Sequence, residues 1–364
     1  MSILHDLLEV ATSKGASDIH VTPGHEPYLR VKGHLQNSGF EPVSAQDIQQ
    51  IVEDILPEHL VKQFAREHEA DFSLKEDEVG RFRVNVFQTQ GEPAIAMRHV
   101  KTEIPTFSDL RLPERLTTLA DWQRGIVLLS GTTGSGKSTT LAAIIGEINR
   151  TQRRRIITIE DPIEYVFEDD QSVITQREIG LDTLDFDNAL KHLMRQDPDV
   201  ILIGEMRDRR SIRTALLAAE TGHLVLSTLH AGEAALALPR ILDMFPADEQ
   251  DQIRLGLADT RHAIVCQRLV PDVDGSVVPA VEILINTSTV RKLIIRNKID
   301  VLHAAIETGN EDGMQTFNQS IYQHIKSGLI TEEEGMRFAS NPEALRMNLQ
   351  GIFLDESRRI LGGE

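Results

Sequence analysis

Cysteine is almost absent from this chain: Cys266 is the single one in 364 residues, which excludes an internal disulfide and a zinc site built from paired CxxC motifs. A reducing compartment, the cytoplasm, is the expectation. No stretch approaches the roughly 18 consecutive apolar residues of a membrane-spanning helix, and the first residues, Met1-Ser2-Ile3-Leu4-His5-Asp6, lack the charged-then-apolar layout of a signal peptide. Direct membrane insertion is therefore not expected, and any membrane association is expected to run through partners. Positive charge is scarce too. The 38 Lys and Arg stand against 56 Asp and Glu, for a formal charge of −18, and such a field repels phosphate backbones. No stretch combines aromatic with basic residues in the way strand-binding surfaces do. These absences argue against nucleic acid as a partner. Internal repeats and low-complexity segments are also missing.

What is present has ordinary globular proportions, and the length suggests two domains. Ile3, Leu4, Leu7, Leu8 and Ala11 recur at helical spacing before Gly15 stops the run. Extended pieces are expected at Asp18–Val21 and Tyr28–Val31, a helix over Ala45–Ile55, and alternating strands at Arg81–Phe87 and Ala94–His99. This is an α+β domain over residues 1–100. Pro105 and Pro113 mark residues 101–113 as a linker. From Gly125 the texture changes to short apolar runs at Ile126–Leu129, Ile156–Ile159, Val200–Ile203 and Leu224–Ser227, separated by helix-sized intervals. Runs of this kind are strands buried on both faces of a mostly parallel α/β sheet. The core is placed at 114–289 and a helical C-terminal subdomain at 290–364. The triplet Arg153–Arg155 reads as a solvated face.

The chemistry is concentrated at the ends of those strands. Gly131-Thr132-Thr133-Gly134-Ser135-Gly136-Lys137-Ser138 fits G-x-x-x-x-G-K-[ST] between a strand and the helical run Leu141–Ile148. At background composition such an octet arises by chance in a chain this long with odds on the order of 1%. Glycines let backbone N–H groups turn inward around phosphates, and the helix N-terminus adds positive potential. Lys137 then reaches the β- and γ-phosphates of ATP, and the Ser138 hydroxyl binds Mg²⁺; Thr139 completes the loop. The second strand runs into Glu160-Asp161-Pro162-Ile163-Glu164, at the edge where ligands of open α/β sheets bind. A carboxylate there can polarise water or hold Mg²⁺, and the residues alone leave Glu160, Asp161 and Glu164 open as the base. The third strand closes on Gly204-Glu205 in the position of a Walker B acid, with Glu for the usual Asp. The longer side chain suits a water-mediated Mg²⁺ contact or a proton relay better than tight direct ligation. His223 and His230 bracket the fourth strand.

The Walker A loop, the EDPIE box, GEMRD (204–208) and TGHLVLSTLH (221–230), in this order, resemble the secretion ATPase superfamily that drives type II and type IV secretion and type IV pili. The stretch Gly15–Leu35 resembles that family's PAS-like N-terminal domain, Arg81–Phe87 its closing strand, and Gly313-Met314-Gln315-Thr316 the C-terminal signature of its retraction members. The assembly and type II secretion members usually carry a further N-terminal domain and a four-cysteine zinc module. The chain therefore resembles the retraction, or twitching motility, branch, although Thr289–Arg296 and Ala231-Gly232-Glu233 depart from the usual patterns. The resemblance implies a RecA-like P-loop core between a PAS-like domain and a helical subdomain. It implies a cytoplasmic homo-hexamer that hydrolyses ATP with Mg²⁺ to retract a pilus, docked on an inner-membrane platform protein. It also makes Glu164 the general base, Glu205 the Walker B acid, and His223 and His230 the histidine-box residues near a subunit contact. Arg81, Arg83 and Arg98 would neutralise γ-phosphate charge. The alternatives are a pilus-assembly or secretion ATPase of the same superfamily and a RecA-like nucleic-acid translocase, against which the −18 charge counts.

Overall fold

A computed structural model of the chain describes residues 3–31 and 33–352; Met1, Ser2, Lys32 and the last part of the expected C-terminal subdomain, 353–364, lie outside the described residues. The chain divides into two units. One comprises Met1–Glu103 with Pro162–Val166 and Glu178–Asp182, and the other comprises the remainder.

In the first unit, α1 (Ile3–Ser13) turns Leu4, Leu7, Leu8 and Ala11 to one buried face. The chain continues through β1 (Ala16–Val21), β2 (Tyr28–Val31), β3 (His34–Asn37), α2 (Ala45–Ile55), α3 (Glu58–Glu67), β4 (Glu69–Glu76), β5 (Gly80–Thr89) and β6 (Glu92–Val100). The strands form one antiparallel sheet of order β3-β2-β1-β6-β5-β4. Alternation along β5 buries Phe82, Val84 and Val86 completely and turns Arg81, Arg83 and Asn85 to the other face. Burying each large apolar side chain contributes about 1.5–3 kcal/mol, and a one-residue slip would forfeit all three. The resulting register sets Arg83 opposite Arg98, Arg98 opposite Asp18 and Asp18 opposite Arg30, a charged row across four strands. Sequence patterning did not reveal β3 or α3, because neither carries a buried residue.

The second unit holds α4 (Thr117–Ala120), β7 (Gly125–Ser130), α5 (Lys137–Thr151), β8 (Arg155–Glu160), β9 (Val173–Glu178), α6 (Phe186–Leu193), β10 (Val200–Ile203), α7 (Arg209–Glu220), β11 (Leu224–Leu229), α8 (Ala234–Leu242), α9 (Ala247–Asp259), β12 (His262–Pro271) and β13 (Val277–Ile285). Its seven-stranded sheet has the order β13-β12-β7-β11-β10-β8-β9. The run from β12 to β8 is parallel, and β13 returns antiparallel on β12. The parallel α/β core expected from the apolar runs is present, with β7, β10 and β11 buried along their whole length. Phe107 and Leu112, from the segment read as a linker, are buried in this core. The Arg153–Arg155 reading needs correction: Arg154 is 8% exposed, and its Nη1 donates to the Trp122 carbonyl at 2.8 Å. Among the described residues five α-helices follow: α10 (Ser288–Ile295), α11 (Leu302–Thr308), α12 (Phe317–Lys326), α13 (Glu332–Phe338) and α14 (Pro342–Leu349). The Gly313–Thr316 stretch ends in the N-cap of α12, where Thr316 and Gln319 form a reciprocal capping box. Among the described residues no helix is long and apolar enough to cross a membrane.

Candidate nucleotide site

Because β7, β8, β10 and β11 run parallel, their C-terminal ends share one edge of the sheet, the edge at which such sheets hold ligands. At the end of β7 the backbone must turn where no side chain fits. Gly131 has φ +144°, and a Cβ there would lie 2.5 Å from the Gln267 carbonyl oxygen. Gly136, at φ +86°, is the N-cap of α5, and no side chain caps the helix. Backbone N–H groups and the helix dipole together give a helix N-terminus of this kind a positive potential that favours an anion. Lys137 is 9% exposed, and its Nζ donates to the carbonyls of Gly131 and Thr132 at 3.0 Å each. The ammonium thus lies inside the loop, beneath the exposed tip Thr132-Thr133-Gly134, with Ser135 buried and Ser138 and Thr139 half-buried in the first helical turn.

On the same edge, Glu205 follows β10 and both of its carboxylate oxygens are engaged. Oε2 accepts from Arg207 Nε at 2.7 Å, and Oε1 lies 3.3 Å from His230 Nε2. Arg207 also sits 3.7 Å from Asp161, and its hydrogen bond to Glu205 raises the guanidinium further above its ordinary value, burial opposing in part. Among the described residues no group of three or more His, Cys, Asp or Glu is arranged around a metal. The Ser138 hydroxyl and the Glu205 carboxylate, singled out in the sequence for Mg²⁺, are hard oxygens of the kind that ion takes. That ion takes one or two protein oxygens and completes its shell with water and phosphate. Glu160 is different: it is 8% exposed, and Oε1 accepts from the Thr158 hydroxyl at 2.6 Å and the Gln176 amide at 3.2 Å.

Of the remaining residues singled out in the sequence, Glu164, Arg81, Arg83 and Arg98 belong to the first unit and His223 to the second. Glu164 is exposed and sits in the segment Pro162–Val166 that groups with the N-terminal unit. In that unit the Arg81 Nη2 pairs with Glu178 Oε2 at 3.1 Å, and the same oxygen accepts from the Ile163 N–H at 3.1 Å. Arg98 Nε donates to Asp18 at 2.7 Å. Burial pushes the Asp18 carboxyl up, but hydrogen bonds from Ser17 and Arg98 outweigh it and hold the group below the ordinary carboxylate range. Arg83 is exposed. His223 precedes β11, at the opposite sheet edge from His230, and its Nδ1 lies 2.9 Å from the Ala218 carbonyl.

The sequence profile of the type II/IV secretion system protein family matches residues 1–290. The chain belongs to this family. The type IV pilus ATPase PilU of Pseudomonas aeruginosa is 41% identical over 345 residues, covering 94% of this chain and 90% of the relative. The type IV pilus retraction ATPase PilT of the same organism is 40% identical over 338 residues, 93% of this chain and 98% of that protein. The crystal structure of the pilus retraction motor PilT with bound ADP superposes with a TM-score of 0.87 at 41% identity, covering 94% of this chain and 98% of that one. In this type II/IV secretion system protein, sequence reading missed the Asp161–Arg207–Glu205–His230 chain of contacts and the buried Gln267 behind the P-loop. A polar residue inside the apolar run Ala263–Val270 was the available signal for the latter.

Proposed function

We propose that this chain is a motor ATPase that hydrolyses ATP to drive type IV pilus retraction. The observation that carries the reading is an uncapped P-loop helix, with Lys137 held inside the loop, in a chain that matches pilus ATPases over 93–94% of its length. Residues Gly131–Thr139 wrap the phosphates, and Lys137 neutralises charge that grows on the γ-phosphoryl group as it transfers. When bound, Mg²⁺ would supply charge neutralisation between the β- and γ-phosphates, with Ser138 and, through water, Glu205 as its protein partners. Glu164, exposed and therefore able to meet a water, serves as general base. Arg81, Arg83 and Arg98 supply further positive charge to the phosphates, and His223 and His230 belong to the histidine box. The working assembly in this reading is a homo-hexamer at the cytoplasmic face of an inner-membrane pilus platform protein, with no nucleic-acid partner.

The test is Lys137→Ala in a phosphate-release assay. The wild-type chain should turn over ATP with Mg²⁺, and the variant, folded by circular dichroism, should lose at least about 10³ of that rate. Wild-type turnover in the folded variant would refute the assignment.

A further inference from the structure

Gln267 is 3% exposed, on β12 between the fully buried Cys266 and the half-buried Arg268. A buried amide left unpaired is costly, so its partners are informative. Nε2 donates to the Ser135 carbonyl oxygen at 2.8 Å, and Oε1 accepts from the Thr140 hydroxyl at 2.8 Å. The orientation is forced at one end, since a carbonyl can only accept. One side chain therefore ties the P-loop at Ser135 to the first turns of α5 at Thr140. A trans peptide sets its C=O and N–H antiparallel. With the Ser135 carbonyl drawn toward Gln267 on β12, the N–H of Gly136 is turned away from β12. The fit leaves no slack: a Cβ on Gly136 would meet Gln267 Nε2 at 2.6 Å.

From this geometry we infer that Gln267 is a positioning residue for polyphosphate binding, which orients the Ser135–Gly136 peptide so that the Gly136 N–H faces the phosphates of a nucleoside di- or triphosphate. Gln267 touches no reacting atom in this scheme; it acts through the loop. The inference rests on the nucleotide-site reading above.

Calorimetric titration of the full chain with Mg-ADP tests it. Gln267→Leu, which leaves the Ser135 carbonyl unpaired, should weaken ADP by about tenfold or more, the ratio expected of one buried hydrogen bond left unmade. Thr140→Val keeps the bond to Ser135 and should weaken ADP by less than about threefold, because only the helix-side tie is removed. Affinity in Gln267→Leu within about twofold of wild type, or equal losses in both variants, overturns the inference. Gln267→Glu serves if the leucine variant does not fold. Its carboxylate opposes the Ser135 carbonyl when charged and can donate to it when protonated, so its ADP affinity relative to wild type should recover as pH falls from about 8 to 6. A ratio independent of pH overturns the inference as well. If wild type and Lys137→Ala bind ADP alike, it is the nucleotide-site reading that fails.

Discussion

Glu160 and Glu164 lie in one acidic box, yet their side chains have different surroundings. The Glu160 carboxylate is buried at the end of β8 and holds the Thr158 hydroxyl and the Gln176 amide together through one oxygen. Glu164 is exposed. A general base must reach a water and accept its proton, and a buried carboxylate is poorly placed for that. Glu164→Gln should therefore keep ATP binding and lower turnover by about 10²–10⁴, whereas Glu160→Gln should cost chiefly stability, on the order of 1 kcal/mol. Phosphate release and nucleotide titration on both variants check this, and a larger loss of turnover from Glu160→Gln would reverse the assignment. Spacing alone could not separate the two residues, since they stand four positions apart in one acidic stretch that begins where β8 ends. What separates them is burial, which the tertiary packing decides.

The helices that leave the ligand edge differ in how their first turns are satisfied. Helix α7, just after Glu205-Met206-Arg207, has a full capping box: the Asp208 carboxylate accepts from the Ser211 N–H at 2.8 Å, and Ser211 answers to the Asp208 N–H. Helix α5 has glycine at that position and no side-chain cap, and its N-terminal dipole favours an anionic ligand. Asp208→Ala should cost about 1 kcal/mol in thermal or urea unfolding. Its KM for ATP should stay within about twofold of wild type, because Glu205 is held separately: the Met206 N–H donates to the Thr228 carbonyl at 3.0 Å. A large rise in KM would mean that the cap also positions the acid. In the second unit the strand pattern was legible where short, mainly apolar runs stand between helix-sized intervals, at β7, β8, β10 and β11. It was not at β12 and β13, whose inward positions include Gln267 and Glu282. Buried polar residues look like solvent-facing ones until their partners are known.

At the scale of the whole molecule, two buried groups make stability depend on pH in opposite senses. Burial pushes the His262 imidazole down to about 4. Between the ordinary value of about 6.5 and 4, the unfolded chain binds a proton that the folded chain refuses. Stability therefore falls as pH falls through that window, by up to about 3 kcal/mol. Burial holds the Glu282 carboxyl above the ordinary carboxylate range, even though its Oε1 accepts from the Ala234 N–H at 2.6 Å. The folded chain then keeps a proton that the unfolded chain has lost, so this contribution is complete below the ordinary value and is lost as pH rises. Melting midpoints of Glu282→Gln relative to wild type should improve as pH rises from about 5 to 9. Those of His262→Gln should improve as pH falls from about 7 to 4.5. A gap between variant and wild type that ignores pH would exclude either group as the source.

The P-loop, the succession of βαβ units, the amphipathic helices α1 and α2 and the family were all determined by the sequence alone. Each depends on a local pattern: glycines at fixed spacing, apolar residues at a helical or strand period, or an unbroken apolar run. Only the tertiary structure decided which polar groups answer one another. Gln267 meets Ser135 across 132 positions of sequence, and Arg81 meets Glu178 across 97. His223 and His230, seven residues apart, fall at opposite edges of the sheet because the six residues of β11 run between them. The physical reason is the same throughout. A hydrogen bond or ion pair is a property of two groups, and its partner is chosen by the packing of apolar strands and helices, which leaves no trace in the spacing of either residue.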